Sequence, residues 1–156
     1  MPFSGPIVVG HDGSSFSDQA LRWALELAQR ASMPVTVVRA WTMRTAPRPK
    51  TQEFGYVPPS ADYADAVRER LAESTRDILA EFPDVDVTLE VERGQPATVV
   101  VEASRGASLL VVGPRGLGGF KGLMLGSVSE HAVGAASCPV VVVRDAGDPA
   151  QAEPEV

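Results

Sequence analysis

Residues 107–127 read ASLLVVGPRGLGGFKGLMLGS, an apolar run followed by six glycines and a small polar residue. The LLVV segment at 109–112 has the continuous apolar pattern of a strand that is buried on both faces. Gly126 and Ser127 then begin a segment with a helical pattern. Each interior glycine weakens regular structure by about 0.5–1 kcal/mol, so six of them indicate a backbone that must approach something closely. We predict a strand, a functional loop and a helix.

The same alternation of strand and helix continues through the rest of the chain. Three more apolar runs resemble the first, and a run with period-two alternation predicts an edge strand with one exposed face. Helical patterns separate these runs. We therefore predict an α/β fold, a five-stranded, mostly parallel, doubly wound sheet with helices on both faces. Its ligand crevice should lie at the carboxyl ends of the strands, where the strand order reverses. The strand runs are 6–10, 35–41, 85–92, 107–113 and 139–144.

Two segments are predicted to lie outside the core of a domain that spans residues 1–144. Residues 42–61 hold four prolines and no clean periodicity, which predicts a flexible loop or a lid over the ligand site. Residues 145–156 carry four acidic and no basic side chains, which predicts a disordered acidic tail.

Charge and composition exclude several classes of function. The formal net charge of −6 and the scattered basic residues argue against nucleic-acid binding. A single cysteine, Cys138, gives neither an internal disulfide nor a metal cluster, and is interpreted as a small buried residue. We expect no signal peptide, no membrane span and no membrane partner, and hence a cytoplasmic location.

The position of the glycines indicates an anion site. A helix N-terminus carries unpaired N–H groups and about half a positive charge, and glycines allow successive amides to wrap a phosphate. Two common phosphate-binding patterns do not fit. The lysine of a Walker A loop is missing after Gly118, and a dinucleotide fingerprint should follow the first strand, where GHDGSS stands instead.

A third pattern does fit, G-x2-G-x9-G-[ST], at Gly113, Gly116, Gly126 and Ser127. Together with VVGHDGSSFSDQALRWALELA, VTVVRAW and SCPVVVVR, it resembles the ATP-binding branch of the universal stress protein family. The resemblance covers roughly residues 5–144. It implies a Rossmann-like fold of the adenine nucleotide alpha hydrolase type. It also implies an adenine nucleotide as ligand, ATP with Mg²⁺, with AMP or cyclic AMP left open.

The same resemblance implies roles for individual residues. The motif glycines and Ser127 would wrap the phosphates, and Arg115 would pair with phosphate charge. Asp12 would face the ribose or the Mg²⁺ ion, and the Ala40 backbone would contact adenine. The full implied set is Gly10, Asp12, Ala40, Val112, Gly113, Arg115, Gly116, Gly126, Ser127 and Val128.

Simpler interpretations compete for some of these residues. Asp12 could cap the first helix, for which Ser15 and Asp18 also supply a capping-box-like start, and both roles can coexist. Arg115 could be a solvated loop residue. His11 lies next to Asp12, but no third ligand or nucleophile accompanies it, so a structural histidine is favoured.

The predicted function is a cytoplasmic ATP-binding regulator or sensor of stress that contacts an unknown protein partner. Without a Walker lysine or a paired acidic motif, such a site should bind well and hydrolyse ATP slowly at most. The alternatives are an adenylyl or phosphoryl transferase on the same fold, a cyclic-nucleotide binder, and an interaction module without nucleotide. The apolar last strand predicts a homodimer, as the family resemblance implies.

Overall fold

In the computed structural model, which describes residues 3–117 and 125–144, strands and helices alternate along the chain. Two predicted features fall partly or wholly outside the described residues: the acidic tail at 145–156, and the glycine segment, of which Gly118, Gly119 and Gly122 are not described. The elements are β1 (Ile7–Gly10), α1 (Ser15–Ala31), β2 (Val35–Trp41), α2 (Ser60–Ala80), β3 (Val87–Arg93), α3 (Pro96–Ala103), β4 (Leu109–Val112), α4 (Ser127–Ala135) and β5 (Val140–Val142).

The five strands form one sheet in the order β3-β2-β1-β4-β5, and all four strand pairs are parallel. The predicted fold class is confirmed, and the alternating run indeed forms an edge strand, β3. The chain runs outward from β1 to β3 and then returns to β4 on the other side of β1. The strand order therefore reverses between β1 and β4, and the crevice at their carboxyl ends is the expected ligand position.

Side chains that alternate along the strands form two hydrophobic layers, one on each face of the sheet. Ile7 and Val9 pack with Leu21 and Leu25 of α1 and with Leu71 of α2, all of them fully buried. The residues between them point to the opposite face, where they pack against α3 and α4. Burying one such side chain contributes about 1.5–3 kcal/mol. Helices thus cover both faces, as the continuous apolar strands predict.

The start of α1 differs from the sequence prediction. Ser14 is the N-cap residue, and its hydroxyl oxygen accepts a hydrogen bond from the Ser17 N–H at 3.2 Å. The predicted Ser15–Asp18 capping pair is wrong, because Asp18 pairs with His11 instead. Gly13 adopts a φ of +89°, which β-carbon crowding disfavours for other residues, and so allows the tight turn before Ser14.

The proline-rich segment lies along α2. The helix begins at Ser60, so the connection after β2 spans residues 42–59 rather than 42–61. The Thr51 hydroxyl donates to the Asp62 carboxylate at 2.6 Å, and Lys50 lies 3.4 Å from Glu69. Among the described residues, no helix is both long and apolar enough to cross a membrane.

Candidate functional site

The glycine loop, residues 113–126, follows β4, and hydrogen bonds join its two ends. The Pro114 carbonyl oxygen accepts a hydrogen bond from the Gly126 N–H at 2.6 Å and another from the Ser129 hydroxyl at 2.7 Å. Ser129 is 1% exposed, so the second bond is buried. These bonds join the first turn of α4 to the end of β4. The two described ends of the loop therefore lie together at the end of β4, the strand that pairs with β1.

Two motif glycines are required by close packing at these two ends. A Cβ at Gly113 would lie 3.0 Å from the Phe16 backbone, in the first turn of α1. A Cβ at Gly126 would lie 3.1 Å from the Arg115 Cα. Both distances are tighter than ordinary van der Waals contact. The glycines therefore let one end of the loop approach α1, and let the two ends approach each other, at distances that side chains would prevent.

Asp12, which follows β1, holds the third motif glycine in place. Its Oδ1 accepts a hydrogen bond from the Ser14 N–H at 2.9 Å, and its Oδ2 accepts one from the Leu117 N–H at 2.9 Å. A Cβ at Gly116 would lie 2.2 Å from that same Oδ2. Asp12 does not cap α1, because Ser14 does so. It instead connects the glycine loop to the β1 loop, the connection between β1 and α1 at residues 11–14.

These hydrogen bonds also set the ionisation of Asp12. Burial by itself would raise the pKa of this carboxyl group, but hydrogen bonds from Ser14, Leu117 and Ser17 outweigh burial and lower the pKa below its usual range. Asp12 is therefore a carboxylate at neutral pH, and both of its oxygens are engaged with N–H donors.

The N-terminus of α4 faces the same crevice. Gly126 occupies the N-cap position, and within residues 3–117 and 125–144 no side chain caps this helix. Ser127 is exposed at its first position, and Val128 is partly buried against the sheet. The first-turn amides of a helix have no intrahelical partner. Such amides can donate hydrogen bonds to an anion.

Arg115 lies on the α1 side of the crevice. Its guanidinium carbon is 4.8 Å from the centre of the Phe16 ring, within the range of a cation–π contact. The contact orients the arginine along the first turn of α1, beside Gly113 and Gly116. Arg115 is thus a packed loop residue, and its charge lies next to the motif glycines.

The other predicted residues lie around this cluster. Gly10 faces α3, where a Cβ would lie 3.2 Å from Val100 and 3.3 Å from Val112, so its small size serves packing. Ala40 is separated from the glycine loop by β1. Since β1 ends opposite Val38, the last residues of β2 extend beyond it. The Ala40 backbone therefore reaches the crevice from the far side of β1.

A buried polar network lies behind Asp12, and the sequence did not reveal it. Arg39 donates hydrogen bonds to the His11 Nδ1, to the His11 carbonyl oxygen at 3.3 Å and to the Ser74 hydroxyl at 3.0 Å. The His11 Nε2 lies 2.8 Å from the Asp18 carboxylate. Because Nδ1 accepts from Arg39, the proton of a neutral His11 is on Nε2 and is donated to Asp18.

Burial controls the charge of this network. It lowers the pKa of His11, and the nearby Arg39 charge lowers it further, against the opposing effect of Asp18. His11 is therefore a neutral structural histidine that joins α1 to β2. The sequence did contain one indication of such a network. Arg39 is a charged residue within the largely apolar strand VTVVRAW, and a buried charge needs polar partners.

Metal-binding capacity is limited in the described part of the chain. No group of three or more His, Cys, Asp or Glu side chains converges there. Cys138 is half-buried beside β4, and burial raises the pKa of its thiol, which keeps it protonated. A divalent ion at this crevice would therefore depend on ligand phosphates together with Asp12.

Comparison with known proteins agrees with this architecture. The sequence model of the universal stress protein family matches residues 4–144. The chain belongs to the universal stress protein family. A family member of Mycolicibacterium smegmatis is 35% identical over 143 residues, covering 89% of this chain and 45% of that protein. One of Mycobacterium tuberculosis is 35% identical over 144 residues, covering 92% and 46%. The chain thus spans about half the length of these curated relatives.

Solved structures of family members share the fold. UspA of Lactobacillus plantarum is 21% identical with a TM-score of 0.69, covering 91% of this chain and 99% of that one. A universal stress protein in complex with cyclic AMP is 25% identical with a TM-score of 0.59, covering 89% and 96%. One from Archaeoglobus fulgidus in complex with dAMP is 24% identical with a TM-score of 0.58, covering 90% and 98%.

Proposed function

We propose that this universal stress protein binds an adenine nucleotide, with ATP as the working ligand, at the carboxyl ends of β1 and β4. The observation that carries the proposal is the closely packed glycine loop leading into the N-terminus of α4, which no described side chain caps. The glycines at 113, 116 and 126 have no Cβ, so the backbone of the loop is accessible to a phosphate. The first-turn amides of α4 would add further donors. The cyclic AMP complex of a relative supports an adenine nucleotide as the ligand class.

The surrounding residues suit the remaining parts of such a ligand. Phosphate charge would meet Arg115 and the amides of Ser127 and Val128, while adenine would meet the backbone of Ala40 beyond the end of β1. Mg²⁺ would be held chiefly by the phosphates, with Asp12 as the carboxylate at hand. The fit for phosphate is better than the fit for the metal, since both Asp12 oxygens already accept N–H groups.

The role we propose is that of a cytoplasmic regulator or sensor in the stress response, with slow ATP hydrolysis at most. Rapid phosphoryl transfer needs several positioned cationic groups, and among the described residues we assign one, Arg115, to the phosphates. A nucleotide at Ala40 would lie two residues from the connection that starts at Thr42. That connection exposes Phe54, Tyr56 and Val57, which suit contact with a protein partner.

We also propose a homodimer through β5. This strand lies at the edge of the sheet, and Val140, Val141 and Val142 are only partly buried in the single chain. Unpaired apolar edge strands tend to associate. Light scattering at micromolar concentration should give the mass of a dimer, and a monomer would overturn this part of the proposal.

A calorimetric titration of nucleotide-stripped protein tests the central proposal. ATP with Mg²⁺ should bind with a micromolar Kd at about one nucleotide per chain. AMP and cyclic AMP are titrated in parallel. Tighter binding of cyclic AMP would replace ATP as the working ligand while keeping the site. If none of the three binds, the nucleotide proposal is wrong and the chain acts as an interaction module.

A further inference from the structure

Asp12 accepts a hydrogen bond from a backbone N–H of the glycine loop, the loop that we propose holds phosphate. The Leu117 N–H points from the loop to the Asp12 Oδ2 at 2.9 Å, across 105 residues of sequence. Gly116, immediately before it, is pressed so closely on this oxygen that a Cβ would lie 2.2 Å away. The carboxylate thus sits against the loop as an anion would.

We propose that Asp12 is an internal competitor for the phosphate site, which holds the Leu117 N–H in the nucleotide-free protein and yields it when a phosphate binds. The inference rests on the proposed function and deepens it. The family resemblance implies that Asp12 faces ribose or Mg²⁺. In the present proposal Asp12 first holds the Leu117 N–H and exchanges it for the ligand.

When a complete nucleotide binds, each hydrogen bond that is lost in this exchange is replaced by another. The Oδ2 atom gives up the Leu117 N–H and becomes free to accept from a ribose hydroxyl group, while Leu117 donates to a phosphate oxygen. The Oδ1 atom keeps the Ser14 N–H throughout, so the carboxylate stays anchored to the β1 loop. Phosphate without ribose completes only half of this exchange, because Asp12 then loses a donor and gains a negative neighbour.

Inorganic triphosphate without divalent metal is therefore the discriminating probe. The variant Asp12→Asn keeps an oxygen for the Ser14 N–H but removes the charge that competes for Leu117. Its affinity for triphosphate should rise about threefold to tenfold over wild type. Its affinity for ATP should rise less, because the ribose hydroxyls lose a charged acceptor.

A charge control separates competition from general repulsion. Glu130 is exposed in the first turn of α4 and is not a hydrogen-bond acceptor of Leu117, so Glu130→Gln removes one negative charge near the proposed phosphate site without touching the Asp12–Leu117 bond. At about 0.3 M salt, where the Debye length falls below 10 Å, its effect on triphosphate affinity should stay within about twofold. A rise in Asp12→Asn no larger than that in Glu130→Gln, or a fall, would overturn the proposal.

Two measurements need no nucleotide and no change in affinity. Hydrogen exchange should show the Leu117 amide protected in wild type and exposed in Asp12→Asn; equal protection in both overturns the proposal. If the variant does not fold, the NMR scalar coupling across the Leu117–Asp12 hydrogen bond is followed in wild type. It should vanish when triphosphate binds, and its persistence in the complex is the contrary result.

Failure of the proposed function would look different. In that case ATP binds to neither the wild type nor Asp12→Asn, whatever the Leu117 amide shows. If wild type binds ATP but the triphosphate affinity of Asp12→Asn is not raised above the control, nucleotide binding stands and the competitor role of Asp12 is wrong.

Discussion

Two helix N-termini lie at the carboxyl edge of the sheet, and they differ in side-chain capping. The first amides of α1 are capped by Ser14, and its first turn is fastened to β1 because Asp18 pairs with His11. The N-cap position of α4 is Gly126, and no described side chain caps it, although Ser127 stands exposed beside it. Both helices carry the same backbone dipole. One N-terminus has a side-chain cap, and the other has none among the described residues, which suits the anion site that we propose there.

The largest effect is expected from the network that fastens α1. Arg39→Met leaves His11 Nδ1 and the Ser74 hydroxyl without their donor in a buried setting. The free energy of unfolding should fall by about 2–4 kcal/mol. Urea unfolding of nucleotide-free protein measures it. The control Arg105→Met removes an exposed arginine paired with Glu102 and should change stability by about 0.5 kcal/mol or less.

A loss comparable to that of the control would mean that Arg39 is not essential for holding α1 to β2. The difference between the two helix ends would then rest on the Ser14 cap and the Asp18–His11 pair.

The next effect concerns the α4 side. Gly116→Asp introduces a Cβ that would lie 2.2 Å from the Asp12 carboxylate and adds a second carboxylate beside it. The loop must move away from Asp12, so the Kd for ATP should rise at least about tenfold, which is about 1.4 kcal/mol. Gly134→Asp adds the same charge at an exposed position of α4 where a Cβ meets nothing within 4 Å. Equal ATP affinity in the two variants would contradict the site.

A matched pair of serine variants tests the comparison directly. Ser14→Ala removes the α1 cap and should lower the free energy of unfolding by about 1 kcal/mol. Ser127→Ala removes no cap, so stability should change by less than about 0.3 kcal/mol, whereas ATP affinity should fall about threefold. Thermal unfolding and calorimetry on both proteins give the four numbers. A stability loss in Ser127→Ala as large as that in Ser14→Ala would erase the difference between the two helix ends.

The smallest effect is the pH dependence of the α1 attachment. Burial lowers the folded-state pKa of His11 below its ordinary value of 6.5, so the folded protein prefers the neutral ring. Its contribution to stability is complete above pH 6.5 and decreases as the pH falls towards the folded-state pKa. Unfolding free energies between about pH 7 and pH 5 should decline in wild type and decline less in His11→Gln. Parallel profiles would show that another group titrates.

Much of this architecture could be predicted from local patterns. Four continuous apolar runs and one alternating run gave five parallel strands with β3 at an edge, because burial on one or two faces leaves a direct mark on hydrophobic periodicity. The glycine spacing at 113, 116 and 126 likewise marked a loop with close backbone contacts. Helix starts were less certain, since Ser14 and Ser15 are equally good capping residues in sequence.

The neighbours of each side chain were decided only by the tertiary structure. Asp12 and Leu117 are 105 residues apart, and Arg39 lies 28 residues after His11, so neither pair leaves a spacing signal. A sequence reports which residue types an element needs on its buried face. Which long-range partners satisfy a buried charge, and which helix end has a side-chain cap, follow from how β1, β2 and β4 bring separate loops to one edge.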